Sequence, residues 1–163
     1  MKNEITGMRL RLIVMNFLQF AVWGAYLTSM GTYLFNIGLG AKIGLFYAMQ
    51  GIVSLFMPAI MGIIADRWVP AQKLYGFCHF MAAVFMVAAG WYGYVDGEAV
   101  NFGTLFTFYS LSVAFYMPTL ALTNSVAYTA LDKVKLDPVI AFPPIRIFGT
   151  IGFICSMLLT DIL

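Results

Sequence analysis

Charged residues are scarce in this sequence of 163 residues, of which only 10% are Asp, Glu, Lys or Arg while 62% are hydrophobic. A soluble domain has roughly 25% charged and roughly 45–50% apolar residues. The chain therefore has too few polar side chains to cover a core in water, which excludes the soluble globular proteins. We expect lipid to be its solvent.

Cysteine and histidine are also rare, since the chain has two cysteines, Cys78 and Cys155, and one histidine, His79. Neither cysteine has a second cysteine or histidine at the spacing of metal ligands, so neither a zinc site nor a disulfide framework is indicated. Nine basic residues stand against seven acidic ones without a basic run, which argues against nucleic acid as a partner. No nucleophile–base pair and no phosphate-binding glycine loop occurs, so we expect neither an enzyme nor a cofactor.

Long uncharged runs are present, and they predict the architecture. Four runs of 22 to 33 residues lie between charged residues, and a fifth run, from Pro138 to Thr160, contains one charge, Arg146. A membrane-spanning helix needs about 20 apolar residues, so each run predicts one span. The predicted spans are approximately 12–36, 43–65, 74–95, 101–131 and 139–162. We expect an all-α, polytopic transmembrane helix bundle, a single unit over 1–163 with no cleaved signal peptide.

The basic residues predict how the spans are oriented. If the spans alternate, only Lys42 falls on one side, and seven basic residues fall on the other: Lys2, Arg9, Arg11, Arg67, Lys73, Lys133 and Lys135. Cytoplasmic loops carry the excess of Lys and Arg, which predicts a cytoplasmic N-terminus and an outward-facing acidic turn at 96–98. Because five spans are an odd number, we also expect a fragment of a longer protein.

A glycine precedes an Asp-Arg pair by four residues between spans two and three, at Gly62, Asp66 and Arg67. Gly62 permits close approach of another helix, Asp66 can lie at the positive end of a helix, and Arg67 can pair with a carboxylate or a headgroup. The segment resembles the loop between helices two and three of the major facilitator superfamily, without the glycine and Arg-Lys pair that usually follow. We interpret it as a gating loop, with an ordinary charged helix end as the alternative.

Arg146, Thr150 and Phe153 lie at i, i+4 and i+7, which is one face of span five. A guanidinium and a hydroxyl on this face can hydrogen-bond hydroxyls or carbonyls of a ligand, and the ring can stack on a planar group. Gly149 and Gly152 lie beside this face and make the helix narrower there, because glycine has no side chain. An arginine within a span marks a functional site by default, but Arg146 lies about one turn inside the edge and can instead snorkel to the headgroups. Both interpretations are open.

Polar and aromatic stripes mark spans one and four. The stripes comprise Asn16, Gln19, Trp23 and Tyr26 in span one and Ser112, Tyr116, Thr119 and Thr123 in span four. Such stripes should face protein or water rather than lipid, and with span five they can enclose one wet groove. We interpret Gln19, Trp23, Tyr116 and Thr119 as substrate contacts and Ser112 and Thr123 as structural. The alternative for span one is that Trp23 only packs and that the amides of Asn16 and Gln19 bridge helices.

Prolines inside the apolar runs predict irregular helices. Pro118 is expected to bend span four. Pro143 and Pro144 either occupy the first turn of span five or, if the helix begins before them, kink it and free carbonyls toward a cavity.

His79 is a candidate proton relay, because a histidine side chain titrates near neutral pH. A hydrogen-bonded packing histidine is the alternative. No Asp or Glu lies well within a predicted span, so the sequence offers no proton-coupling carboxylate.

Five segments carry a resemblance to a known family. They are FLQFAVWG at 17–24, FMPA at 56–59, CH at 78–79, YMPTL at 116–120 and FPPIRIFGTIGF at 142–153. Together they resemble the bacterial nucleoside:proton symporters of the major facilitator superfamily, which have twelve spans. The resemblance implies the first five spans of an N-terminal half, in an inner-membrane importer of nucleosides that works by alternating access. It also implies nucleosides, protons, membrane lipids and a missing C-terminal half, bearing the coupling acid, as partners.

Two other functions remain open. One is a sugar or drug carrier of the same superfamily, and the other is a non-transporting membrane scaffold subunit of five helices. Further spans beyond Leu163 would favour a carrier, whereas a stop codon there would favour the subunit.

Overall fold

Five long α-helices dominate the computed structural model, which describes residues 2–96 and 99–162. In chain order they are α1 (Lys2–Asn36), α2 (Ile43–Arg67), α3 (Ala71–Asp96), α4 (Phe102–Lys133) and α5 (Pro138–Ile162). The two described ranges contain no strand. All five helices are long and apolar enough to cross a membrane, which confirms the predicted all-α polytopic fold class.

The helix ends lie within a few residues of the predicted span limits, except at the start of α1. This helix begins at Lys2 instead of near residue 12. Its early turns continue the helix because Met8 packs against the buried cluster that contains Leu12. α3 ends at Asp96, the first residue of the predicted acidic turn. Gly97 and Glu98, the other two residues of this turn, lie outside the described residues.

Side-chain caps begin the last two helices. The Oδ1 atom of Asn101 accepts the N–H of Gly103 at 2.8 Å at the start of α4. The Oδ1 atom of Asp137 accepts the N–H of Val139 at 2.9 Å, and Pro138 follows the cap as the first residue of α5. Both caps satisfy helix N–H groups that have no partner within the helix.

Prolines lie inside three of the helices: Pro58 in α2, Pro118 in α4, and Pro143 and Pro144 in α5. Because α5 begins at Pro138, Pro143 and Pro144 lie beyond its first turn, which decides between the two predicted placements. A proline has no N–H, so the carbonyls four residues earlier, at Val139 and Ile140, lose their helical donors.

The chain divides into two compact units. The first comprises Met1–Met30 with Thr123–Leu163, and the second comprises Gly31–Leu122. The first unit has a buried core formed by residues of α1, α4 and α5: Leu12, Ala127, Ala130, Leu131, Ala141, Phe142 and Ile145. The prediction of a single bundle over 1–163 stays a prediction.

Glycines set the contact between α1 and α5 in the first unit. A Cβ atom on Gly152 would meet the backbone carbonyl of Phe17. A Cβ atom on Gly24 would lie 2.7 Å from the carbonyl oxygen of Phe153, which is closer than real Cβ atoms approach. The two helices therefore touch through their backbones, as small residues allow in membrane proteins.

Buried polar side chains pair between helices in the second unit. The Nε2 atom of Gln50 in α2 donates to the Oη atom of Tyr109 in α4 at 2.7 Å. The Oγ atom of Ser112 in α4 donates to the carbonyl of Ala82 in α3 at 2.7 Å, which agrees with its predicted structural role. Because lipid offers no hydrogen bonds, such pairs hold the helices in register.

Candidate functional site

Arg146 of α5 lies against α1 in the first unit. Its guanidinium carbon is 3.8 Å from the ring centroid of Phe20. The Nη1 atom lies 2.8 Å from the position that a Cβ of Gly149 would occupy, so the side chain runs along α5 away from the nearer helix end. A cation over an aromatic face contributes about 0.5–1 kcal/mol at exposed sites and about 2 kcal/mol when desolvated. A snorkelling arginine would instead extend toward the nearer end of α5, and the role of Arg146 stays a prediction.

Three aromatic rings continue from Arg146. The rings of Phe20 and Trp23 have centroids 6.1 Å apart, and the rings of Trp23 and Phe153 have centroids 5.7 Å apart at an angle of 71°. Arg146, Phe20, Trp23 and Phe153 thus form one series of contacts between α1 and α5, which we call the arginine–aromatic cluster. The structure brings together three residues that the sequence singled out, Arg146, Trp23 and Phe153.

Phe20 is the member of the cluster for which the sequence predicts no role. It lies four residues after Asn16 and three before Trp23, so it shares the α1 face of the predicted polar and aromatic stripe. That spacing is the signal that could have identified it. A phenylalanine in an apolar run does not stand out unless its cationic partner is known.

The α1 stripe begins with two buried amides. Asn16 is fully buried, and its Nδ2 atom donates to the carbonyl of Leu12 at 2.9 Å. Gln19 is 2% exposed. Trp23 and Tyr26 are half-buried. The stripe therefore lies largely inside protein, as predicted, instead of facing lipid.

Thr150 differs from its two predicted partners on α5. Arg146 and Phe153 are half-buried, whereas Thr150 is exposed. Gly149 and Gly152, predicted to thin the helix beside this face, are buried where α1 packs. The glycines thus bring α1 close enough for Phe20 and Trp23 to reach α5.

Tyr116, Thr119 and His79 meet in the second unit. The Oγ1 atom of Thr119 donates to the carbonyl of Tyr116 at 2.6 Å, and both residues are buried. The ring of Tyr116 meets the ring of His79 edge to face, with centroids 6.0 Å apart.

His79 is held within α3 by its own preceding turn. Its Nδ1 atom lies 3.0 Å from the carbonyl of Tyr75, and the two rings have centroids 4.3 Å apart. Because a carbonyl only accepts, Nδ1 carries the proton of the neutral ring and Nε2 keeps a lone pair. This contact fits the packing interpretation, and the proton-relay role stays a prediction.

The segment predicted to act as a gate lies at the end of α2. Asp66 and Arg67 are exposed in its last turn, and the N–H of Trp68 closes the helix on the carbonyl of Ile64 at 3.0 Å. α3 begins at Ala71, four residues after Arg67, so the connection at 68–70 is short. The gating role stays a prediction.

No described residue packs against the Cβ position of Gly62, so its predicted role in close helix approach stays a prediction. A Cβ atom built on Gly62 meets nothing within 4 Å. The neighbouring Met61 is the buried residue of this turn, in a cluster with Leu74 and Cys78 of α3. The helix therefore presents Met61 to α3, and Gly62 lies on a face with open space.

None of the four residues of the arginine–aromatic cluster is a carboxylate or a usual metal ligand. Within residues 2–96 and 99–162, no group of three or more His, Cys, Asp or Glu side chains could hold a metal ion. The cluster offers five N–H donors of a guanidinium beside aromatic faces, half-buried and therefore partly desolvated. Such a surface can bind a flat, polar ring that bears carbonyl and hydroxyl groups.

A family model built for nucleoside H+ symporters matches residues 6–162 of the chain. The chain belongs to the nucleoside H+ symporter family. The resemblance seen in the sequence is therefore confirmed.

Relatives of this symporter family member include two proteins of Escherichia coli (strain K12). The chain is 42% identical to the xanthosine permease over 150 residues, which cover 91% of the chain and 34% of that protein. It is 40% identical to the nucleoside permease NupG over 154 residues, which cover 93% of the chain and 35% of that protein.

The fold of this symporter family member is similar to a solved structure. It superposes on a crystal structure of a mutant of the nucleoside transporter NupG with a TM-score of 0.85 and 39% identity, covering 95% of the chain and 37% of the other. The chain thus spans about a third of the length of the curated relatives it matches. Its helices are those of a multi-pass membrane protein.

Proposed function

We propose that this chain forms the first five spans of a carrier that imports nucleosides with protons by alternating access across a bacterial inner membrane. The observation that carries the proposal is the arginine–aromatic cluster, in which a guanidinium lies 3.8 Å from the ring centroid of Phe20 within a transmembrane unit. Membership in the nucleoside H+ symporter family supports the choice of substrate and of the coupling ion.

The cluster supplies the two kinds of interaction that a nucleoside needs. Arg146 donates to ribose hydroxyls or base carbonyls, and a hydrogen bond to a charged group contributes about 1.5–3 kcal/mol. Trp23 or Phe153 stacks on the base, an interaction of about 1–3 kcal/mol per base. Thr150 adds an exposed hydroxyl one turn along α5, and Gln19 stays a predicted substrate contact on α1.

The contact with Phe20 also prepares Arg146 for binding. An arginine that must be ordered on binding loses rotamer freedom, which costs about 0.5–1.5 kcal/mol. Because Phe20 is itself buried, it holds the guanidinium in place before the substrate arrives. Phe20 therefore acts as a positioning residue.

The other assigned residues stay predictions within this proposal. Tyr116 and Thr119 are proposed as substrate contacts on α4, His79 as a proton relay on α3, and Asp66 and Arg67 as a gate. Since the sequence has no Asp or Glu well within a predicted span, we propose that a C-terminal half of the same carrier bears the coupling acid. Carriers of this kind bind substrate between two halves near the membrane midplane.

The proposed orientation puts the N-terminus in the cytoplasm. Seven basic residues flank the spans on that side and one on the other. The excess of Lys and Arg in short loops sets orientation, which supports this direction of insertion. Membrane lipids then surround the exposed apolar faces of the helices.

Uptake of radiolabelled uridine by cells that express the carrier containing this chain tests the proposed function. We expect uptake that adenosine competes, that glucose leaves unchanged, and that collapse of the proton gradient abolishes. Competition by a sugar or a drug in place of adenosine would assign the carrier to another substrate class. If a correctly inserted protein took up neither nucleosides nor sugars nor drugs, the scaffold subunit would be favoured.

A further inference from the structure

Two crevices of the first unit flank the loop between α4 and α5, and neither includes the arginine–aromatic cluster. One has a volume of about 640 Å³ and is lined largely by the start of α1 and by residues 133–135. The other has a volume of about 430 Å³ and is lined by α1 and the first turns of α5. We call them the basic crevice and the apolar crevice.

The basic crevice has a net positive lining. Arg11 of α1, Lys133 at the end of α4 and Lys135 of the loop contribute three cations, and Glu4 contributes one anion. All three cations are exposed, so their charged groups are available to a ligand. Three cations around one crevice attract an anion with several oxygen acceptors, and a phosphate group is such an anion.

Lys135 occupies a backbone position that favours glycine. The N–H of Leu136 donates to the carbonyl of Leu131 at 3.1 Å, and the N–H of Lys135 donates to the carbonyl of Asp132 at 2.9 Å. This helix ending requires a left-handed residue, and Lys135 has a φ of 56°. A non-glycine residue is unfavourable in this conformation, so glycine would suit the backbone better. The chain nevertheless has a lysine at this position, and Lys135 lines the basic crevice.

The basic crevice lies at the ends of apolar helices, where we expect lipid headgroups. Arg11 is the last charged residue before the apolar run of α1, and Lys133 ends the long apolar helix α4. Basic residues at span ends attract anionic headgroups, and basic pockets between membrane helices bind them.

The apolar crevice adjoins it along the chain. Leu136, which follows Lys135 directly, lines it with Ile13, Ile145 and Phe148. Most of its lining is apolar, and Arg9 and Asp137 are its two charged residues. A free phosphate gains nothing from an apolar crevice, whereas a phospholipid places its acyl chain there. The paired crevices therefore favour a lipid over a soluble phosphate.

We propose that the basic crevice binds the phosphate headgroup of an anionic phospholipid, with an acyl chain along the apolar crevice. Arg11, Lys133 and Lys135 donate to the phosphate oxygens. The site lies outside the proposed nucleoside site and does not depend on the proposed transport function.

Native mass spectrometry of the purified protein with equal amounts of phosphatidylglycerol and phosphatidylcholine tests the proposal. We expect retained phosphatidylglycerol, and about a fivefold loss of its affinity for each lysine removed, since one basic residue contributes about 1 kcal/mol. The double variant Lys133→Gln/Lys135→Gln is expected to lose roughly 30-fold. Lys73→Gln, which removes an exposed lysine of α3 outside the crevice, is the matched control and should bind as the parent does.

Lys135→Gly separates the charge of Lys135 from its effect on the fold. Glycine relieves the left-handed backbone, so this variant should melt at a higher temperature than the parent in detergent. It should nevertheless lose about fivefold in affinity for phosphatidylglycerol. An unchanged affinity in Lys135→Gly would overturn the proposal without any doubt about folding.

A competition with inorganic phosphate and glycerol phosphate distinguishes the source of the phosphate group. We expect neither soluble anion to displace phosphatidylglycerol at millimolar concentration. Displacement by either would assign the crevice to a soluble phosphate and overturn the lipid proposal. Equal retention of phosphatidylcholine and phosphatidylglycerol would overturn it as well.

Discussion

The guanidinium of Arg146 lies over the ring of Phe20, 3.8 Å from its centroid, although the two residues are on different helices and far apart in the sequence. The contact forms because Gly149 and Gly152 let α1 approach α5 closely. It fixes an intramembrane cation beside Trp23 and Phe153. A charge in this place is costly in lipid, and the ring offsets part of that cost.

Phe20→Leu should weaken nucleoside binding while the protein still folds. Leucine keeps the apolar packing of α1 but has no aromatic face for the guanidinium. A loss of about 0.5–2 kcal/mol corresponds to roughly 2- to 30-fold lower affinity in a calorimetric titration with uridine. Phe56→Leu, at an exposed phenylalanine of α2, is the matched control and should bind normally. Equal affinities of the two variants would contradict the positioning role of Phe20.

Gly152→Ala should destabilise the first unit. The new methyl group would meet the backbone carbonyl of Phe17, which cannot move as a side chain can. Overpacking of this kind costs about 1–3 kcal/mol, so we expect a lower melting temperature in detergent.

Gly76→Ala provides the control for this prediction. A Cβ atom on Gly76 of α3 meets nothing within 4 Å, so alanine should leave the melting temperature unchanged or raise it through its better helix propensity. If both alanine variants melted at the same temperature, the close contact of α1 with α5 would be wrong.

Gln50→Leu should destabilise the second unit because it removes the donor to the Tyr109 hydroxyl. The buried Tyr109 hydroxyl then loses the donor that lies 2.7 Å away, which should lower the free energy of unfolding by about 1–3 kcal/mol. The double variant Gln50→Leu/Tyr109→Phe removes both polar groups and should recover part of the stability. A double-mutant cycle on melting temperature that finds the two substitutions additive would argue against this hydrogen bond.

Labelling with a membrane-impermeant thiol reagent tests the proposed orientation. In a background with Cys155→Ser, which removes the exposed native cysteine, Ala99→Cys should react in intact cells and Val134→Cys should react only after lysis. The reason is that seven basic residues predict a cytoplasmic 132–138 loop. The reverse labelling pattern would overturn every loop assignment.

Much of the fold could be predicted from the sequence because lipid constrains it strongly. A charge within a span is costly, so the positions of Lys42, Asp66 and Lys73 limit where helices can cross. The helical residues 2–11 could not be predicted in this way, because the cost of a charge within a span does not apply to a polar helix outside the bilayer. The helical start of α1 follows from packing of Met8, which a hydropathy pattern does not report.

The candidate site was predictable only within single helices. Helical spacing puts Arg146 and Phe153 on one face of α5, and both lie in the arginine–aromatic cluster. The pairing of Arg146 with Phe20 depends on the contact between α1 and α5, which no local pattern contains. For the same reason the sequence does not show which glycines make close helix contacts. Gly24 and Gly152 make such contacts, whereas no described residue packs against the Cβ position of Gly62.

The most direct test of the account is a calorimetric titration of the carrier with uridine, comparing the parent with Arg146→Lys. Lysine keeps the charge but loses the planar set of donors, so hydrogen bonds worth about 1.5–3 kcal/mol disappear and affinity should fall roughly 10- to 150-fold. A snorkelling arginine is replaced by lysine without loss. Wild-type affinity in a well-folded Arg146→Lys carrier would remove Arg146 from the nucleoside site and contradict the central claim.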